Sequence, residues 1–138
     1  MNIGVIGNGI VGKAVKLGFG QHCNVMVNDK AISKDSPFTK MELVENCDYI
    51  FIGVPTPFNK TTQKVDTSIL RLVMEELNDI GQRLSKFPVI IIKSAIVPSQ
   101  IKIWKDKLDY LKIVVSPEYL TERSHLHDFV NQKVMILG

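Results

Sequence analysis

The sequence predicts an α/β fold: a doubly wound parallel sheet of about six strands with helices on both faces. Three observations carry this expectation. Apolar runs of strand length alternate with helical patterns over all 138 residues, the arrangement that builds a parallel sheet through βαβ crossovers. The stretch Ile6-Gly7-Asn8-Gly9-Ile10-Val11-Gly12 opens directly out of one such run and leads into a helical pattern. Asp29 closes the second apolar run, Val25-Met26-Val27, at the far end of that first unit.

Taken in order, residues 2–6 form a strand, residues 10–20 a helix with Val11, Ala14, Val15 and Gly18 on one face, and residues 24–28 a second strand. Thr39 and Glu42 have the spacing of a capping box and open a short helix that runs to Cys47, and Asp48 breaks it before the strand 49–52. Val54 to Asp66, with Pro55, Pro57 and Asn59, reads as a loop at the carboxyl end of that strand. Asp66 or Thr67 caps the next helix, whose Leu70, Val73, Leu77, Ile80 and Leu84 make a continuous apolar stripe. Val89 to Ile92 is apolar on both faces and reads as a central parallel strand. Pro98 starts a helix that extends to about Asp109, residues 113–115 give a fifth strand, and Val134 to Leu137 a sixth. The expected strand order is 3-2-1-4-5-6.

Bulk properties narrow the function classes. The chain has the length of one domain, with 45% hydrophobic and 22% charged residues, as in an ordinary soluble globular protein. Its net charge of +3 is small and evenly spread, which argues against nucleic acid as a partner. The Lys-rich region from Lys102 to Lys112 carries Ile101, Trp104, Leu108 and Leu111 at helical spacing, so it reads as a solvated helix face. The sequence shows neither a leader pattern nor an apolar run of membrane-spanning length, so a cytoplasmic protein without a membrane partner is expected. Cys23 and Cys47 have no metal-ligand spacing and read as reduced structural thiols; a catalytic thiol is the alternative. His22, His125 and His127 likewise have no metal-like spacing, with His125 and His127 on a solvated loop or helix start, and no metal site is expected.

The glycine stretch has a physical reading of its own. Gly7 permits a sharp turn, Gly9 removes a side chain that would block a pyrophosphate, and Gly12 lets the helix pack on the strand with its free N–H groups facing the anion. A plain strand-to-helix turn is the competing reading. The position of Asp29, where a carboxylate accepts both hydroxyls of an adenosine ribose, favours a dinucleotide. Glu118 follows Ser116-Pro117 at a strand end, where it can face a cleft and act as an acid or base, or else pair with Arg123. Lys34, Lys93 and Arg123 read as surface charges by residue type alone.

Three further segments, in order, make a pattern: Val54-Pro55-Thr56-Pro57 after the third strand, Lys93-Ser94-Ala95 after the fourth, and Ser116-Pro117-Glu118-Tyr119-Leu120-Thr121-Glu122 after the fifth. Together with Asp128-Phe129-Val130-Asn131-Gln132, the chain resembles the amino-terminal NAD-binding domain of the UDP-glucose 6-dehydrogenase family, over its whole length. The resemblance implies a Rossmann-type domain spanning 1–138, with NAD as cofactor and a UDP-sugar as substrate. It implies that Gly7, Asn8, Gly9, Ile10, Val11 and Gly12 hold the NAD pyrophosphate and that Asp29 holds the ribose. Lys34, Val54, Thr56, Pro57, Ser94 and Glu122 would contact the cofactor. Glu118 matches the active-site acid or base, and the segment Glu118, Tyr119, Leu120, Thr121 and Glu122 matches the one laid along the UDP-sugar. The aromatic Tyr119 favours a glucose-type substrate.

The departures are as specific. Ala95 stands where the family has Thr, which removes a hydroxyl near the reacting centre. The family's thioester cysteine, catalytic lysine, dimer-forming helix and UDP-binding domain match nothing within this chain, and Cys23 and Cys47 correspond to none of them. The expectation is therefore an NAD-binding domain inactive by itself, with a homodimer possible in the complete enzyme. An NAD-binding regulatory module, or the first domain of another sugar-acid or β-hydroxyacid dehydrogenase, are the alternatives.

Overall fold

The computed structural model describes residues 1–138 apart from Lys34, Asp109 and Glu122, and apart from the side chains of Ala31 and Ile32. Its elements are β1 (Asn2–Ile6), α1 (Ile10–Gly20), β2 (Asn24–Ser33), β3 (Ser36–Pro37), α2 (Lys40–Asn46), β4 (Tyr49–Ile52), β5 (Phe58–Asn59), β6 (Lys64–Val65), α3 (Ser68–Leu84), β7 (Val89–Ile92), α4 (Pro98–Lys107), β8 (Lys112–Val115) and α5 (His125–Val130).

The main sheet has six strands in the order β3-β2-β1-β4-β7-β8, all parallel except β3, which runs antiparallel to β2. In-register pairing of Ile3 to Ile6 with Tyr49 to Ile52, and of Tyr49 to Ile52 with Val89 to Ile92, brings the carboxyl ends of the central strands to one edge. Hydrophobic clusters cover both faces. Leu43, Val44, Leu70, Met74, Leu77, Ile80 and Trp104 of α2, α3 and α4 pack on one face. Ala14 and Val15 of α1 and Phe129 of α5 pack on the other, with Ile3, Val5, Val27 and Phe51.

Local signals explain the helices. Thr39 and Glu42 form the expected capping box, each side chain bonding the other's backbone N–H, and the N–H and hydroxyl of Thr39, donated to Glu42 Oε2 at 2.7 and 2.8 Å, hold the Glu42 carboxyl below its usual range. At α3, Asp66 Oδ1 accepts the Ser68 N–H at 2.9 Å, whereas Thr67 makes no side-chain cap, and of the apolar stripe Leu70, Val73, Leu77 and Ile80 are buried and Leu84 is partly so. Pro98 occupies the first turn of α4, where its missing N–H costs no intrahelical bond. That helix ends at Lys107; the expected end, Asp109, lies outside the described residues.

Two expectations about the sheet need correction. The expected order 3-2-1-4-5-6 placed Tyr49–Ile52 at the edge beside the second strand, but that strand is central, between β1 and β7, and the edge beside β2 is taken by the two-residue antiparallel β3. Ser36-Pro37 is too short for a hydrophobic period, and it is marked instead by β2 running on to Ser33 and by Asn28 Nδ2 donating to the Phe38 carbonyl at 2.6 Å. The sixth strand expected at Val134 to Leu137 does not form. Those side chains are exposed, and Gly138 exchanges two backbone bonds with Val115 of β8, at 2.8 and 2.9 Å. An apolar run meets the strand pattern without specifying a partner edge. The loop after β4 also contains more order than expected: Phe58–Asn59 and Lys64–Val65 pair as an antiparallel hairpin, with Asn59 Oδ1 accepting the N–H groups of Thr61 and Thr62.

Candidate functional site

Gly7 lies at the carboxyl end of β1, with its N–H bonded to the Asn28 carbonyl at 2.9 Å. Its φ of 95° is open to glycine, and a Cβ there would lie 2.6 Å from the Gly53 carbonyl oxygen. Gly12 stands in the first turns of α1, packed against that loop: its Cβ would fall 1.9 Å from the Gly7 carbonyl oxygen. Around Gly9 a Cβ would meet nothing within 4 Å. Two glycines thus permit backbone contact and the third leaves open space at a helix N-terminus, which fits a pyrophosphate.

Asp29 lies past the β1–β2 pairing, and its Oδ2 accepts the Asn8 N–H at 2.7 Å. The carboxylate is thereby fixed next to the glycine loop while its remaining acceptor sites are left for a ribose diol. Asn8 Oδ1 is buried without a hydrogen-bond partner, an acceptor suited to a hydroxyl donor. Lys34 lies outside the described residues.

A cleft of about 560 Å³ runs from Gly9, Ile10 and Val11 past Gly53 to Thr56 and Lys93 to Ile96, and ends at Val115, Pro117 and Glu118. Val54 and Thr56 are on its wall; Pro57 is exposed at the base of the hairpin, where its carbonyl accepts the Asp66 N–H at 2.8 Å. Ser94 lines the cleft, but its hydroxyl is bonded to the Val54 carbonyl at 2.7 Å, so its bond in this structure is to the end of β4. Ala95 presents an exposed methyl on the same wall.

Glu118 forms an ion pair with Lys93, which also donates to Ser116 Oγ at 3.0 Å. The side chains are 12% and 1% exposed. Residue type alone argues for Lys93 at the surface; the structure buries it, because it extends the central strand β7 into the sheet edge between two neighbours. The available signal was its position, directly after an apolar strand.

The segment after Glu118 leaves the cleft. Tyr119 is 68% exposed, and Leu120 packs partly against the cluster beneath α1. Thr121 donates its N–H and hydroxyl to Asp128 Oδ2, at 3.1 and 2.7 Å, and these bonds with that of Ser124 hold the Asp128 carboxyl below its usual range. Glu122 lies outside the described residues. Of the two cysteines, Cys47 is buried against Met26, and burial pushes its thiol up to about 11, which keeps it neutral and removes it as a nucleophile. Among the described residues no group of three or more His, Cys, Asp or Glu could hold a metal, and no helix is long and apolar enough to cross a membrane.

Known proteins are similar to this chain in sequence and in fold. The NAD binding domain of the UDP-glucose/GDP-mannose dehydrogenase family matches residues 24–138. This span leaves out the glycine loop, whose assignment rests on the geometry above. A UDP-glucose 6-dehydrogenase of Campylobacter jejuni is 30% identical over 93 residues, covering 67% of this chain and 23% of that protein. One of Streptococcus pneumoniae is 22% identical, over 100% of this chain and 41% of that protein. The chain thus spans less than half the length of these relatives. In fold, it is similar to a GDP-mannose dehydrogenase of Pseudomonas aeruginosa, with a TM-score of 0.83 at 18% identity over 100% of this chain and 41% of that one. A UDP-glucose dehydrogenase of Pyrobaculum islandicum gives 0.82 at 18% identity over 99% and 40%. With the family match covering most of the sequence and a cleft that fits a dinucleotide, the chain belongs to the UDP-glucose/GDP-mannose dehydrogenase family, as its NAD-binding domain.

Proposed function

We propose that this domain serves an enzyme that oxidises a UDP-sugar, with UDP-glucose going to UDP-glucuronate, and that it is inactive alone. The observation that carries the proposal is the single cleft joining the glycine loop to Glu118. NAD, when bound, supplies the hydride acceptor. The chain's own residues do the rest of what this domain contributes. Gly7, Gly9 and Gly12 shape the turn that receives the pyrophosphate, and Asp29 orients the adenosine ribose. Val54 and Thr56 close the cleft wall, and Ser94 holds that wall in place through the Val54 carbonyl. Glu118 stands at the far end, where its carboxylate can take a proton from the sugar alcohol or from water.

The substrate side is an edge only, from Glu118 to Glu122, and a second domain outside residues 1–138 would complete it. The compartment consistent with this substrate is the cytoplasm, and a homodimer is open to the complete enzyme. A competing reading is an NAD-binding module without chemistry, favoured by the methyl of Ala95 where the family has a hydroxyl.

The test is NADH formation from UDP-glucose. This chain alone is expected to give none. Activity should appear when it is supplied with a domain carrying the family's cysteine and lysine, and turnover by the chain alone would contradict this division of labour. Absence of turnover in the supplemented protein, with NAD binding intact, would favour the module without chemistry.

A further inference from the structure

Among the described residues lining the cleft, Lys93 and Glu118 are the two that carry a formal charge. The rest of the wall is glycine, proline and aliphatic side chains with the hydroxyls of Thr56 and Ser94. The ammonium is the deeper member of the pair, with a side chain 1% exposed against 12% for Glu118. It is held from three sides: by the Glu118 carboxylate, by Ser116 Oγ at 3.0 Å, and by the Phe129 ring, whose centroid lies 5.9 Å away. Phe129 is in turn packed against Phe19 of α1, with ring centroids 6.0 Å apart. Lys93 is therefore fixed by β8 and α5, and it fixes Glu118.

A dinucleotide with its pyrophosphate on the glycine loop and its adenosine half on Asp29 leaves its nicotinamide half to the cleft that carries this pair. The nicotinamide ring is cationic in the oxidised cofactor and neutral in the reduced one. A net-neutral ion pair on an apolar wall discriminates weakly between them, whereas a single uncompensated charge discriminates strongly.

We propose that Lys93 is a positioning residue that neutralises Glu118 beside the nicotinamide and thereby sets the domain's preference between NAD+ and NADH. The inference rests on the NAD reading of the cleft. Without Lys93, the lone carboxylate attracts the cationic ring and favours NAD+; without Glu118, the lone ammonium repels it and favours NADH.

The experiment measures the affinities of NAD+, NADH and ADP-ribose for the wild-type chain and for Lys93→Met, Lys93→Arg, Glu118→Gln and the double variant Lys93→Met/Glu118→Gln, at mildly alkaline pH. In Lys93→Met the ratio of the NADH to the NAD+ dissociation constant should rise about tenfold, as for one charge acting across a partly aqueous cleft. In Glu118→Gln it should fall by a similar factor. Lys93→Arg and the double variant should stay near wild type, because both leave the wall neutral. ADP-ribose lacks the nicotinamide and reports on an intact fold. If Lys93→Met loses ADP-ribose affinity, the decision passes to the fall expected in Glu118→Gln. A ratio unchanged in Lys93→Met and Glu118→Gln, with ADP-ribose affinity intact, overturns the inference alone. Failure of the wild-type chain to bind any of the three nucleotides overturns the NAD reading, and this inference with it.

Discussion

The Cβ position of Gly12 lies 1.9 Å from the carbonyl oxygen of Gly7, so α1 and the turn before it touch backbone to backbone. Gly12→Ala forces the helix away from β1 and should destabilise the fold by about 2 kcal/mol or more. Gly9 has open space around it, so Gly9→Val should leave stability within about 0.5 kcal/mol while filling the space assigned to the pyrophosphate. Thermal melts with and without NAD separate the two. Gly12→Ala should lower the melting temperature of the free chain, and Gly9→Val should abolish only the rise on adding NAD.

Asp29 holds the Asn8 N–H at 2.7 Å and offers its other acceptor sites to a ribose. In Asp29→Asn the amide oxygen still accepts from Asn8, but the charge and one acceptor are lost. NAD affinity should fall roughly tenfold, the size expected for a charge-assisted hydrogen bond. The chain should melt as before. Unchanged affinity in calorimetry would remove Asp29 from the site.

The Thr121 and Ser124 bonds to Asp128 make the segment after Glu118 sensitive to acid. These bonds favour the ionised form, so the folded-state value lies below the ordinary 3.8. The stabilisation is fully present above the unfolded value and is lost as the pH falls through the folded one. Asp128→Asn should therefore lower the melting temperature at neutral pH, and the difference from wild type should vanish at low pH, below the folded-state value. A difference constant across the titration would show that the carboxylate charge plays no part.

Cys47 is neutral at physiological pH, with its thiol pushed up to about 11 by burial, while Cys23 is partly exposed. A thiol-specific reagent at neutral pH should label Cys23 and spare Cys47 until the chain unfolds. Rapid labelling of Cys47 in the folded chain, read by mass spectrometry, would reopen it as a nucleophile.

The parts legible in the sequence were those written in local chemistry. The capping box at Thr39 and Glu42, the stripe of α3 and the glycine loop with Asp29 all follow from spacing within one turn or one βαβ unit. What escaped depends on pairing between distant segments. β3 is two residues long and exists because β2 extends to meet it, and Val134 to Leu137 has a strand's composition but stays exposed, with Gly138 bonded to Val115 at the edge of β8. Lys93 is the clearest case. Its type argues for the surface, and only the placement of β7 between β4 and β8 shows that its neighbours are Ser116 and Glu118.

Gly7 to Gly12 and Asp29 are proposed to form an NAD site within these residues. Calorimetric titration of the chain with NAD+ and with NADP+ puts this to the test. Saturable binding of one NAD+ per chain is expected, lost in Gly9→Val, with weaker binding of NADP+, whose additional phosphate would meet the Asp29 carboxylate. Absence of NAD+ binding by the folded chain, or tighter binding of NADP+, would contradict it.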